Sequence, residues 1–228
     1  MIAHKKEFYG GFGLLAAFFV VLAIIFSPIF EGHNGLDYLD NLYNSISKGS
    51  AYYIPAVKED VDKFAGNTIT VTLHMKNEEK ADQTTPLLMK GGALVNKSGA
   101  ELKVSGDLSK LLANCLADAD LMYHNDGQTL ANKYGYDEQR VLYNWWKALK
   151  LAEADLKKQS KFAEAKVIGT VLKKAVEASY NYYKIEPQKI GDRFGVVIFS
   201  LVFYVIYTMW YGFAILFMFE GWGLRLEH

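Results

Sequence analysis

The sequence predicts a mainly α-helical membrane protein, in which two transmembrane helices flank an extramembrane helical bundle (α+β) with a small antiparallel β insertion. Three observations predict this class. Residues 194–219 form one long run without charge, and residues 8–30 form a second. Because a helix rises 1.5 Å per residue, about 20 apolar residues cross a hydrocarbon layer of roughly 30 Å. Residues 31–193, between the runs, have the charged and polar composition of a water-facing domain.

The first run is predicted to be a signal anchor. Lys5 and Lys6 precede it, as basic residues precede a secretory signal. The run is longer than the apolar core of a signal peptide, and its outer end lacks a small-x-small cleavage pair. We therefore expect residues 8–30 to be retained as the first transmembrane helix, after a short tail of residues 1–7.

The charges beside the two runs give opposite indications of orientation. Two lysines before the first run favour a cytoplasmic N-terminus, whereas the second run has more basic residues on its domain side than beyond it. Since the first helix usually dominates, we expect residues 1–7 and 220–228 to be cytoplasmic. The domain 31–193 is then extracytoplasmic, which in a bacterial inner membrane means periplasmic.

The domain is predicted to begin with two helices. Apolar residues at helical spacing indicate a helix over residues 35–48, which Gly49 ends. A second helix is predicted within residues 50–67, with Ser50 as a possible cap. Proline is tolerated only in the first turn, so the regular helix should begin near Pro55.

A small antiparallel sheet is predicted at about residues 68–104. Residues 68–74 alternate apolar side chains with threonine, as a half-buried strand does. The polar residues 76–86 are predicted to be a loop. Residues 93–104 hold two short apolar runs around a glycine-containing turn, the pattern of a β-hairpin.

The rest of the domain is predicted to be helical. A helix should begin after Asp107, which can cap it, and end near Asp126-Gly127. Asp137 can cap a longer helix that runs to residue 158. A last helix is predicted over residues 162–183, and together these helices should form an antiparallel bundle.

Composition argues against several function classes. Acidic and basic residues balance, so no long-range field attracts nucleic acid. The single cysteine, Cys115, excludes an internal disulfide, a cysteine zinc cluster and covalent haem attachment. His33, His74 and His124 lack the spacing of metal ligands on one helix face. With no nucleophile motif and no phosphate-binding glycine loop, we expect no catalytic residue, metal or cofactor.

Two helical faces are the principal candidate sites. The tyrosine face of the second run consists of Ser200, Tyr204, Tyr207 and Tyr211, which recur at helical spacing. Hydroxyls within a membrane need partners, and small side chains let helices approach closely. We expect helix packing, within the chain or with other subunits; the alternative is a groove for lipid or quinone. The first run offers a small-residue face, formed by Gly13, Ala16, Val20, Ala23 and Ser27.

Aromatic residues outside the runs supply two further candidates. Neighbouring residues on a helix point about 100° apart, so if Trp145 faces inward, Trp146 faces at least partly outward. There it is placed to contact a partner or a headgroup layer, or to pack under a loop. Before the second run, aromatic and basic residues have the composition of a membrane-interface collar. The collar residues are Tyr180, Tyr182, Tyr183, Lys184 and Lys189.

Three functions remain compatible with the sequence. The first is a non-catalytic accessory or scaffold subunit of a membrane complex, whose partners are the lipid bilayer and other transmembrane subunits. The second is an extracytoplasmic sensor that signals through a partner chain, because the residues after the second run are too few for an output module. The third is a redox or lipid- or quinone-handling subunit, although neither run carries a histidine that could ligate haem.

Overall fold

The chain divides into two units at Ser50 and Pro187. The computed structural model describes residues 2–29 and 32–224. The helical unit comprises Met1–Gly49 and Pro187–His228, and the central domain comprises Ser50–Glu186. In chain order the elements are α1 (Lys5–Ile25), α2 (Gly35–Ser50), α3 (Ile54–Asp62), β1 (Thr68–His74), α4 (Glu78–Lys90), β2 (Leu94–Ser98), β3 (Glu101–Asp107), α5 (Leu108–Tyr123), α6 (Gly127–Tyr134), α7 (Glu138–Lys158), α8 (Phe162–Val171), a π-helical segment (Leu172–Glu177), α9 (Ala178–Tyr182) and α10 (Ile190–Trp222).

Within the described part of the chain, α1 and α10 are the two helices that are long and apolar enough to cross a membrane. α1 ends five residues before the predicted limit at Phe30, because Pro28 disfavours helical angles at the residue before it. Phe30 and Glu31 themselves lie outside the described residues, as do residues 225–228 of the predicted C-terminal tail.

α10 extends beyond the predicted run 194–219 at both ends. Its first turn carries Asp192, whose negative charge is favourable at a helix N-terminus. Its last turn is closed by Gly223, which takes the left-handed conformation (φ 83°). The hydropathy pattern therefore identified the apolar middle of α10, while Asp192 and Gly223 mark the turns where the helix begins and ends.

The prediction that Gly49 ends α2 and that Ser50 caps the next helix is wrong. α2 continues through Gly49 and includes Ser50. Glycine in a helix costs only about 1 kcal/mol, so it does not always end one. α3 begins at Ile54 with Pro55 in its first turn, which confirms the predicted start near that proline.

The predicted sheet is confirmed, with β3 in its centre and β1 and β2 antiparallel on either side. β1 has the predicted bounds, and its Ile69, Val71 and Leu73 are buried. The hairpin turn is tighter than expected, since Ser98 pairs with Glu101 and only Gly99-Ala100 lie between. Gly99 has a positive φ of 59°, which two-residue hairpin turns require and glycine adopts without strain.

The polar segment predicted as a loop is largely helix α4. Asn77 caps it by accepting a hydrogen bond from the Lys80 N–H at 3.0 Å. Ala81, Thr84 and Leu87 are fully buried at spacings of three residues. The polar residues between them hid this narrow apolar stripe, and a cap followed by acidic residues was the missed sequence signal.

The remaining helices of the domain are largely as predicted. Asp107 and Asp137 cap α5 and α7 by accepting hydrogen bonds from N–H groups three residues later. Asp126 does not mark the end of α5; it caps the short helix α6. The predicted last helix is interrupted by the π-helical segment. α7 lies centrally and packs against β1, α4 and α8, so that its side chains reach several faces of the domain.

Candidate functional site

The closest contact between α1 and α10 is made by glycines. A Cβ added to Gly11 would lie 2.8 Å from the Ala214 carbonyl oxygen, and one added to Gly221 would lie 2.5 Å from Phe8 Cβ. Any other side chain at either position would therefore push the backbones apart. The N–H groups of Ala3 and His4 both donate to the Gly221 carbonyl at 2.9 Å, which joins the start of α1 to the end of α10.

The structure does not bring the small-residue face of α1 to α10. Gly13, Ala16, Val20 and Ala23 are exposed, and nothing lies within 4 Å of a Cβ built at Gly13. Ser27, just beyond the end of α1, is half-buried and donates to the Ala23 carbonyl of that helix. The face that α1 presents instead contains Gly11 and Phe18. A buried aromatic ring removes more apolar surface than small side chains do, which explains the preference.

The tyrosine face of α10 is divided between internal contacts and an exposed position. Tyr207 stacks on Phe18 with ring centroids 4.3 Å apart, and Tyr211 lies 5.0 Å from the same ring. Ser200 Oγ lies 2.6 Å from the hydroxyl of Tyr43 on α2. Tyr204, by contrast, is 67% exposed. Ser200 and Tyr207 are half-buried inside the helical unit, whereas Tyr211 contacts Phe18 but is itself 43% exposed.

Within the described part of the chain, little protein packs against α10. Among its residues only Val197, Ala214 and Gly221 are buried. Large apolar side chains point outward on the remaining surface, and contiguous exposed apolar patches are typical of protein or membrane contact sites. These exposed residues include Phe194, Ile198, Phe199, Leu201, Val202, Val205, Ile206, Met209 and Phe213.

Part of the predicted interface collar is held by the domain. The Tyr183 hydroxyl donates to Glu138 Oε1 at 2.7 Å, and Lys184 Nζ lies 3.8 Å from the same carboxylate. Partial burial and this hydrogen bond raise the pKa of Tyr183 to about 12. The same hydrogen bond lowers the pKa of Glu138. These two collar residues fasten the last turn of the domain to the start of α7.

The other collar residues have different environments. Tyr182 packs on the margin of the domain core, where its ring lies edge-on to Tyr123 at 6.2 Å. Tyr180 is exposed and borders the cavity beside Trp146. Lys189 is exposed and occupies the N-cap position of α10 without a side-chain capping bond.

The two neighbouring tryptophans face in the directions predicted from helix geometry. Trp145 is fully buried, and Trp146 is half-buried. Trp146 donates to Glu177 Oε1 at 2.8 Å and stacks on Tyr143, with ring centroids 5.9 Å apart. It borders an apolar cavity of about 370 Å³, and Lys150 Nζ lies 4.6 Å from its ring centroid. Trp146 is therefore accessible yet fixed in position.

A buried polar centre was missed by sequence reasoning. Asp118 on α5 is fully buried and accepts hydrogen bonds from Lys133 Nζ at 2.6 Å, the Tyr134 hydroxyl at 2.6 Å and Trp145 Nε1 at 2.7 Å. Burial raises the pKa of Tyr134, and its hydrogen bond to Asp118 raises it further. The donors come from α6 and α7, so one carboxylate joins three helices. Its only signal in the sequence was an aspartate on the apolar face of a predicted helix.

The residues that most often carry chemistry are dispersed. Cys115 is buried, and burial raises the pKa of its thiol well above the usual range. Within residues 2–29 and 32–224, no three His, Cys, Asp or Glu side chains are grouped as metal ligands would be. Comparisons of the chain with protein-family models, with curated proteins and with solved structures gave no match.

Proposed function

We propose that this protein is a non-catalytic accessory or scaffold subunit of a membrane complex. In this proposal α1 and α10 cross the bilayer, and the central domain Ser50–Glu186 is the interaction domain outside it. The observation that carries the proposal is the exposed apolar surface of α10, which α1 covers on one side only. Lipid and other transmembrane subunits are the partners whose chemistry fits such a surface.

The dimensions of the helices support insertion. α1 has 21 residues, about the number needed to cross a hydrocarbon layer of roughly 30 Å. α10 has 33 residues, which at 1.5 Å per residue exceeds that thickness. The excess is accommodated if the polar first turn of α10 stands in the headgroup region or if the helix tilts.

The proposed orientation places both chain ends in the cytoplasm and the domain in the periplasm of a bacterial inner membrane. Its support is the pair of lysines at the start of α1, because the first helix usually decides topology. The basic residues at the start of α10 oppose this orientation, so topology needs its own measurement.

Extraction in a mild detergent followed by native mass measurement tests the scaffold proposal. We expect the chain to co-purify in a complex with one or more different polypeptides. Tyr204→Ala, on the exposed surface of α10, should reduce the amount of partner recovered. Tyr9→Ala, an exposed tyrosine near the start of α1, is the matched control. A chain that travels alone or only with copies of itself would contradict the proposal.

A further inference from the structure

The central domain contains a second cavity, of about 510 Å³, whose lining is strongly cationic. It lies between the end of β1, the first turn of α4 and the outer face of α7. Four of its lining side chains are Lys76, Lys80, Arg140 and Lys147, and among the described residues no Asp or Glu lines it. Because the chain as a whole has zero net charge, this clustering is local and not a result of composition.

Acidic side chains balance only part of the charge of these cations. Lys80 Nζ lies 3.0 Å from Glu79 Oε1, and Arg140 is also near enough to help lower the pKa of that carboxyl, so both charges are partly balanced. Among the described residues, no carboxylate lies within ion-pair distance of Lys76, Arg140 or Lys147. The Arg140 guanidinium lies 5.7 Å from the Tyr143 ring centroid, which orients it without cancelling its charge. Lys76, in the loop after β1, and Arg140 and Lys147, on α7, therefore line one concave space.

The cavity also has the form of a ligand site. Its volume lies within the range of about 300–1,000 Å³ that small-molecule sites occupy. Tyr143 and Leu151 supply apolar wall, and Asn144 supplies a polar group that is 99% buried. Asn144 Nδ2 donates to the Tyr136 hydroxyl at 3.3 Å and to Gln83 Oε1 at 3.4 Å, so its amide is fixed in orientation and both N–H groups are used within the protein. Such a site combines charge with an apolar surface for a carbon skeleton.

We propose that this cavity binds a small organic anion with at least two negative charges, a phosphate ester or a polycarboxylate. Arg140 presents a planar fork of donors that matches either group, and Lys76 and Lys147 supply additional charge. The inference is independent of the scaffold function. In a scaffold subunit with this site, binding of the anion would change the interactions that the central domain makes with its partners.

Calorimetric titration of the full chain in detergent tests the site, with pyrophosphate and citrate as the two probes. Ionic strength is held low and constant with chloride, because exposed cations are screened by salt. We expect at least one probe to bind with a defined stoichiometry of one. Binding of pyrophosphate alone would assign phosphate chemistry, and binding of citrate alone would assign carboxylate chemistry. The absence of binding by both would overturn the proposal.

Three matched variants distinguish a site from a diffuse positive field. Arg140→Gln and Lys147→Gln should each weaken binding about tenfold, the low end for hydrogen bonds to charged groups. Lys150→Gln makes the same charge change on the same helix but does not line the cavity, and should alter affinity less than about twofold. Equal weakening by all three would overturn the proposal. Lys76→Gln, in the loop after β1, gives an independent measurement if an α7 variant fails to fold.

Discussion

Replacing Asp118 by alanine should destabilise the central domain more than any other single loss of a charged side chain described above. The change removes the common acceptor of three donors, contributed by α6 and α7. Trp145 is fully buried, so its indole N–H would lose its partner without access to water. The Lys133 side chain is 29% exposed and can turn toward solvent.

The magnitude follows from these environments. A buried donor left unsatisfied costs about 1–3 kcal/mol, and breaking a buried ion pair by removing one partner costs about 3–5 kcal/mol. Because Lys133 retains access to water, we expect Asp118→Ala to cost about 3–4 kcal/mol. Asp118→Asn should cost about half as much. Tyr134 and Trp145 both donate to Oδ2, and the asparagine oxygen can still accept from them.

Urea unfolding of the full chain in detergent, followed by near-ultraviolet circular dichroism, measures this loss. With a slope of about 2 kcal/mol per molar urea, the midpoint should fall by about 2 M. The control is Asp120→Ala on the same helix, whose carboxylate is 41% exposed and accepts one hydrogen bond from Tyr52. The control should lose under about 1 kcal/mol. Equal losses in the two variants would refute the reasoning.

Four further predictions concern topology, autonomy, helix packing and pH. Ser98→Cys, at the exposed end of β2, should react with a membrane-impermeant thiol reagent on intact cells; labelling only after lysis would reverse the proposed orientation. A fragment of residues 50–186 should give a far-ultraviolet spectrum dominated by helix, because its core lies within those bounds; a disordered spectrum would contradict this. Tyr207→Phe should preserve the α1–α10 pair, since hydrogen bonds within membranes contribute about 0.6 kcal/mol, whereas Tyr207→Ala should loosen it by a few kcal/mol in thermal unfolding. An intact complex inactivated by Tyr207→Phe would favour a ligand groove there. Because the pKa of Glu138 is lowered in the fold, its stabilising contribution is present above about pH 4.5 and is lost as pH falls through the lowered value. Tyr183→Phe should flatten that part of the stability profile in acid titrations, and an unchanged profile would contradict this origin.

The elements that sequence reasoning located correctly are those with a strong local signal. β1 alternates in burial along its whole length, and α7 combines a capping aspartate with a wide apolar stripe. α4 was missed because its buried residues are few and its exposed face is strongly polar. A narrow stripe stabilises a helix only when the rest of the core is present to cover it, and that information is not local in the sequence.

The candidate surfaces show the same limit. The spacing of Tyr207 and Tyr211 correctly placed them on one face, but spacing does not say which face of α1 meets them. Phe18 makes that contact, on a face of α1 that the spacing of small residues did not indicate. The cationic cavity could not be predicted from the sequence for another reason. Lys76 and Arg140 are far apart in sequence, and only the packing of α7 beside β1 brings them together.

The pairing of α1 with α10 also sets an order of events during synthesis. Tyr207 and the Phe18 carbonyl that it contacts are separated by 189 positions in the chain. At about 5–20 residues per second, a ribosome needs roughly 10–40 s to make the intervening sequence. Throughout that interval α1 has no α10 to pack against, and the glycine surface around Gly11 is open to any other helix nearby. A chain truncated before α10 would leave α1 in this state permanently.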